Sequence, residues 1–156
     1  MTRYRIELLS KHDRSAFASG SDELDRYLRE RAAQDMRRRV ASCFVAVDDD
    51  GTTAGFYTIA ATSLVLDLIP AERARRLPRY PSIPAVLLGR LAVALTHQGK
   101  RLGGALVADA LLRARRAEVM AFTMVVEAKD DPAERFYQHL GFESLETNRR
   151  MLIRPL

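Results

Sequence analysis

Gln98-Gly99-Lys100-Arg101-Leu102-Gly103-Gly104 separates an apolar run, Ala85–Val93, from a helix-forming run that begins Ala105-Leu106-Val107-Ala108. Strand, glycine-bearing loop, helix: that order leaves the N–H groups of the first helical turn without intrahelical acceptors, and the helix dipole adds positive potential beside them. A phosphate suits such a place. Glycines at a strand-to-helix turn also serve plain tight bends. From the loop alone, phosphate binding and a simple turn both stay open.

Upstream, Ala85–Val93 is almost continuously apolar, the pattern of a strand covered on both faces. Gly89 and Arg90 interrupt it. A glycine inside a strand suggests a bulge or the close approach of another backbone. Arg90 requires a partner, because an unpaired buried charge is very costly. Two partners are open: a core carboxylate, or an anionic ligand in a cleft.

Downstream, the helix after the loop carries Asp109, Arg113 and Arg116 as a narrow polar stripe with one expected ion pair. Phe122–Glu127 reads as a strand. Asp131 as N-cap, Pro132 as first helical residue and Gly141 as stop bound a further helix. Within it Ala133, Phe136, Tyr137 and Leu140 recur at i, i+3, i+4 and i+7, which turns Tyr137 inward. Phe142–Leu145 and Arg150–Ile153 read as closing strands.

Towards the N-terminus, Met1–Leu9 alternates Tyr4, Ile6 and Leu8 with Arg3, Arg5 and Glu7, as a strand does. Ser21 caps a helix whose buried stripe is Leu24, Tyr27 and Leu28 and which ends in Arg37-Arg38-Arg39. The arginines are either a solvated helix end or part of a phosphate-binding face. Val40–Val47 and Ala54–Ala60 flank Asp48-Asp49-Asp50-Gly51, a hairpin signal. Ser63–Leu68 extends the sheet, Pro70–Leu77 reads as a short helix, and Pro78, Pro81 and Pro84 punctuate the approach to Ala85.

At 156 residues the chain is expected to form one domain, residues 1–156, with a core that needs no disulfide. Twenty-five Lys and Arg against twenty Asp and Glu give +5, mostly as arginine, which suits a polyanionic partner as well as solubility. Cys43 is the only cysteine and lies in an apolar run, as an inert buried thiol does. His12, His97 and His139 have no metal-ligand spacing. No segment reads as a membrane span or a signal peptide. A cytoplasmic protein without a metal is expected.

The order β-α-β-β-β-α-β-α-β, with these motifs, resembles the GNAT acetyltransferases. Gln98-x-x-Arg101-x-Gly103 follows that family's Gln/Arg-x-x-Gly-x-Gly/Ala loop save at its first glycine. Ala133-Glu134-Arg135-Phe136-Tyr137-Gln138-His139-Leu140-Gly141-Phe142 follows its Ala-x-x-Phe-Tyr-x-x-x-Gly-Phe segment. Leu24-Asp25 with Tyr27-Leu28, Ala54-Gly55-Phe56-Tyr57-Thr58, Pro84–Val93 and Val126-Glu127-Ala128-Lys129-Asp130 are similar to the GNAT toxins of bacterial toxin–antitoxin pairs. The resemblance runs from about Phe17 to Ile153.

It implies an α+β fold, a mixed central sheet flanked by helices with a splayed central strand. It also implies an acetyl-CoA-dependent enzyme that acetylates the amino group of an aminoacyl-tRNA, blocks translation, and is neutralised by a ribbon-helix-helix antitoxin. A homodimer fits the same resemblance. The pyrophosphate would then sit on amides of Gly99, Lys100, Arg101, Leu102, Gly103 and Gly104 after Gln98, and the pantetheine arm along Leu91, Ala92 and Val93. Tyr137 would be the general acid for the departing thiolate, a phenol being protonated at neutral pH. Phosphates of the tRNA would meet Arg37, Arg38, Arg39, Arg76, Arg79 and Arg90.

Two residues depart from the family. Arg101 replaces a glycine, which costs roughly 1 kcal/mol if the position needs positive φ. Asp130 stands where many relatives have asparagine. No His/Glu pair stands out as a base. An α-amino group, with a pKa of about 8 against about 10.4 for lysine, needs little help to become neutral, which favours a charged tRNA over lysine. The rival readings are a GNAT enzyme acting on a small amine or a protein N-terminus, and a non-catalytic acetyl-CoA-binding module.

Overall fold

A computed structural model describes residues 2–156. Met1, where the expected first strand begins, lies outside the described residues. Seven strands hydrogen-bond in the order β1-β2-β3-β4-β5-β7-β6 in one mixed sheet. They are β1 Arg5–Leu8, β2 Ser42–Val47, β3 Thr53–Val65, β4 Ser82–Val93, β5 Thr123–Glu127, β6 Glu143–Ser144 and β7 Met151–Pro155. The helices are α1 Asp22–Glu30, α2 Ala32–Arg37, α3 Ala71–Ala74, α4 Leu102–Arg116 and α5 Asp131–His139. Contacts divide the chain into two units.

The first unit takes in the chain up to Ala60 and Leu88–Ala110. β1 pairs antiparallel with β2, and β2 with β3, around a turn at Asp48–Gly51 in which Gly51 takes φ 81°. Asp48 Oδ1 builds that turn by accepting from the amides of Asp50 and Thr52, each at 2.9 Å. The expected alternation in β1 fails at its end: Leu8 is 51% exposed, while Leu9, just past the strand, is buried. β1 is an edge strand that stops at Leu8, and the chain turns so that Leu9 fills the core position.

The single helix expected from Ser21 to the arginines is two. Ser21 caps α1 by accepting from the Leu24 amide at 3.3 Å. Arg31 then leaves helical geometry at φ −121°, ψ −30°. The break turns Ala32 fully into the core, and the Tyr27 hydroxyl donates to Asp35 at 2.8 Å across it. Leu9, Phe17, Tyr27, Leu28, Cys43, Val45 and Phe56 are among the residues of this core. A Cβ added at Gly55 would lie 3.0 Å from the Ala92 carbonyl oxygen and 3.1 Å from Leu106, so glycine sets how closely α4 approaches the sheet here.

The second unit takes in Ala61–Leu87 and Leu111–Leu156. β5 and β7 pair antiparallel, Thr123 opposite Pro155 through Glu127 opposite Met151, and β6 adds two residues to β7. Leu64, Ile69, Ile83, Ala85, Val125, Leu145 and Ile153 form its core. The two runs read as separate strands before Leu68 are one strand, β3, which ends at Val65 in a short 3-10 turn. Of the helix expected over Pro70–Leu77 only α3 forms, with Pro70 at its N-cap.

β4 starts three residues before Ala85 and is not covered on both faces. Its first half alternates exposed Ser82, buried Ile83, exposed Pro84 and buried Ala85, and Gly89 and Arg90 are exposed. Leucine and valine made that run look continuous. The alternation is carried by Ser82 and Pro84, which lie outside or at the edge of it.

Candidate active site

After β4, a 3-10 turn at Leu95–His97 delivers the chain to Gln98. The Gln98 side chain is already engaged: Nε2 donates to Ser19 O at 3.0 Å and to Val93 O at 3.1 Å. Those two bonds brace the loop against Ser19 and the end of β4. Gly99 then takes φ 79° and Arg101 φ 63°. Alternating left-handed residues curl successive amides to one side, as in anion-binding nests. α4 follows at Leu102, and the Ala105 amide reaches back to Arg101 O at 3.2 Å. The N–H groups ahead of it in that first turn have no intrahelical acceptor.

Lys100 and Arg101 are exposed at this end of α4, and with Gly99 and Thr2 they line a hollow of about 410 Å³. Lys100 Nζ donates to Thr2 Oγ1 at 3.4 Å. The residues fit a pyrophosphate: outward amides, a helix N-terminus and two cations with no carboxylate paired to either among the described residues. Arg101, which replaces the family's glycine, itself adopts a positive φ, the conformation that favours glycine. Ahead of the loop, Ala94 N donates to Ala54 O at 2.8 Å. Strand alternation therefore turns the Leu91 and Val93 backbone groups to the opposite edge from that of Ala92. On that edge Val93 O is taken by Gln98.

Tyr137 lies in the second unit, on α5. Its helix is capped one residue earlier than the sequence indicated: Asp130 accepts from the Ala133 amide at 2.9 Å, and Asp131 and Pro132 are helical. Gly141, at φ 91°, is the stop. The Tyr137 ring packs edge-on against Phe136 and Phe142 at 5.1 and 5.5 Å. Burial pushes its phenol from 10.0 up to about 12. The hydroxyl has no hydrogen-bond partner among the described residues. Tyr27 and Tyr57 differ, their hydroxyls donating to Asp35 at 2.8 Å and Asp109 at 2.6 Å. A half-buried, uncommitted phenol is available as a proton donor. Asp109, expected on a solvated stripe, is thus a partner of the sheet.

Arg37, Arg38 and Arg39 are exposed at the end of α2. Arg39 takes φ 61° in a Schellman stop, its amide donating to Met36 O and that of Val40 to Asp35 O, both at 3.0 Å. Arg76 and Arg79 are exposed in the second unit. Arg90 has no core carboxylate as partner among the described residues. It is exposed, and its guanidinium carbon lies 3.7 Å over the Tyr27 ring.

One cluster carried no signal in the sequence. His97, 8% exposed, meets the Tyr4 hydroxyl at Nδ1 (2.8 Å) and Asp48 Oδ2 at Nε2 (3.4 Å). If Tyr4 donates to Nδ1, Nε2 carries the proton that faces Asp48. The cluster ties the residue that precedes β1 and the hairpin turn to the residue before the loop. Its members are far apart in the chain and show no motif spacing. Among the described residues no group of three or more His, Cys, Asp or Glu could hold a metal ion, and no helix is long and apolar enough to cross a membrane.

Residues 39–144 match the acetyltransferase (GNAT) domain model. A tRNA-acetylating toxin of Mycobacterium tuberculosis is 36% identical over 138 residues, 87% of this chain and 81% of that protein. The structure of AtaT complexed with acetyl-methionyl-tRNAfMet superposes with a TM-score of 0.89 at 26% identity, over 98% of this chain and 95% of that one. A mutant AtaT toxin bound to the C-terminus of the antitoxin AtaR and to acetyl-CoA gives 0.80 at 25% identity, over 97% and 92%. The chain belongs to the GNAT acetyltransferase family.

Proposed function

We propose that residues 1–156 act as one acetyltransferase domain that moves acetyl from acetyl-CoA to the amino group of an aminoacyl-tRNA, a translation-blocking toxin of the cytoplasm. The carrying observation is the Gly99–Gly104 loop, whose two left-handed residues turn amides outward at α4, in a GNAT chain 36% identical to a tRNA-acetylating toxin. An antitoxin is its proposed partner, supported by the AtaR complex of AtaT, and its ribbon-helix-helix type is proposed from family resemblance. A homodimer is proposed from family resemblance.

Amides of Gly99–Gly104 hold the pyrophosphate, and Lys100 and Arg101 add charge-assisted contacts. The Leu91–Val93 edge takes the amide-bearing arm, with a splay of β4 leaving room for it. Acetyl-CoA supplies an acetyl thioester: the N–C bond forms as the C–S bond breaks, and the departing sulfur needs a proton. Tyr137 gives it. With its phenol pushed up to about 12 by burial, Tyr137 is fully protonated at neutral pH, and solvent restores the proton afterwards. The amine loses its own proton to water, since its pKa of about 8 or less keeps much of it neutral. Arg37, Arg38, Arg39, Arg76, Arg79 and Arg90 meet the RNA, so affinity falls with salt.

Induced expression of the wild type and of Tyr137→Phe, with acetylation of bulk charged tRNA followed in parallel, tests this. The wild type should arrest growth and yield acetyl-aminoacyl-tRNA. Tyr137→Phe should lower kcat by about 100-fold or more, with the acetyl-CoA KM little changed. No acetyl-aminoacyl-tRNA from the wild type would refute the function, and undiminished turnover in Tyr137→Phe would remove the acid.

A further inference from the structure

Three planar side chains stand in series in the first unit. Phe56 of β3, fully buried, stacks with Tyr27 of α1 at a centroid separation of 6.3 Å and an interplanar angle of 17°. Tyr27 is 5% exposed and pinned at its far end, its hydroxyl donating to Asp35 at 2.8 Å. The guanidinium carbon of Arg90 lies 3.7 Å over the Tyr27 ring. Arg90 itself is exposed on β4, immediately before Leu91–Val93, and pairs with no carboxylate among the described residues. Tyr27 therefore links a ring of the core to an exposed cation.

A surface arginine is ordinarily a mobile, hydrated charge. Here the ring beneath holds the guanidinium by its face, through cation–π attraction and stacking. That support fixes in advance a group that would otherwise lose rotamer freedom on binding. A phosphate would use only the N–H edge of the guanidinium and leave its outer face unused. A guanidinium held over an aromatic ring at 3.7 Å offers a flat face that suits a nucleobase.

We propose that Arg90, supported by Tyr27, is a stacking platform for the terminal base of the aminoacylated RNA. This rests on the aminoacyl-tRNA reading above and names how one part of that substrate is held. The amine to be acetylated is carried by an amino acid esterified to the ribose of the terminal nucleotide, so that base belongs to the smallest complete acceptor. Stacking on it fixes the ribose, and through the ester the amine, without reading RNA sequence.

The test uses the whole chain as wild type, Arg90→Lys and Arg90→Ala, with folding checked by circular dichroism. Acceptors are bulk charged tRNA and, free of phosphate, 3′-O-aminoacyl-adenosines beside the methyl esters of the same amino acids. For the wild type, kcat/KM should be about tenfold higher for the adenosine esters than for the methyl esters. In Arg90→Ala and in Arg90→Lys that ratio should fall to near unity, and the KM for charged tRNA should rise several-fold in both. A lysine that restores the ratio or the tRNA KM would make the contact one of charge, and the platform would be wrong. A wild type without preference for the adenosine esters would also overturn it, leaving tRNA acetylation standing. Failure to acetylate charged tRNA at all would instead overturn the reading beneath it.

Discussion

Arg101 and Arg39 both hold φ near +60°, where glycine would be unstrained, yet they occupy different settings. Arg39 closes a helix through two backbone hydrogen bonds, so its strain is offset locally. Arg101 lines a hollow with Thr2, Gly99 and Lys100, and in the proposed function its guanidinium faces a pyrophosphate. Arg101→Gly should stabilise the free protein by up to about 1 kcal/mol, strain relief being partly cancelled by the entropy of glycine in the unfolded chain. The same change should raise the acetyl-CoA KM several-fold and flatten its salt dependence, one charge-assisted contact being lost. Urea unfolding and KM at two salt concentrations check both halves. A variant that is no more stable, with an unaltered KM, would leave Arg101 without either role.

Elements bring these residues to their stations, and Gly55 shows how narrowly. An alanine there places its Cβ 3.0 Å from Ala92 O and 3.1 to 3.3 Å from Leu106 and Leu102 of α4. Backbone yields less than a flexible side-chain end, so Gly55→Ala should cost about 1–3 kcal/mol. It should also weaken acetyl-CoA binding, because Leu102 opens the helix whose N-terminus follows the loop. Calorimetric titration of the folded variant measures the second effect, and wild-type affinity would mean that α4 can shift without disturbing the loop. The loop, the Tyr137 helix and the hairpin were legible because each is a local pattern: a glycine spacing, an i, i+3, i+4 stripe, a turn signature. Arg90 on Tyr27, His97 between Tyr4 and Asp48, and the break at Arg31 were not, since each depends on partners brought together by folding. The continuous apolar run of β4 misled for the same reason, as coverage of a face is decided by neighbours in space.

At the scale of the whole molecule, burial keeps Cys43, Tyr137 and Tyr27 protonated. Desolvation pushes the Cys43 thiol from 9.0 up to about 12 and the Tyr137 phenol from 10.0 up to about 12. Desolvation, then the bond to Asp35, raise Tyr27 further. Each is neutral in the folded state at a pH where the unfolded chain has begun to ionise. Above the ordinary value of 9.0 for the thiol, the unfolded state therefore binds fewer protons than the folded one, and stability must fall with rising pH. Their contribution is complete below that value and is lost progressively towards 12, first through Cys43 and then through the tyrosines. Unfolding free energies from urea titrations at about pH 8 and about pH 10.5 should show the wild type losing stability over that interval, and Cys43→Ala losing less of it. Alanine adds a packing cost of its own, but that cost is the same at both pH values and cancels in the difference. An equal drop in the two proteins would mean that the thiol ionises as readily folded as unfolded. The same protonation bears on turnover: the alkaline limb set by loss of the Tyr137 proton should lie near 12, not at the 10.0 of a solvated phenol. A rate that declines through 10, in protein still folded by circular dichroism, would assign the proton to another donor.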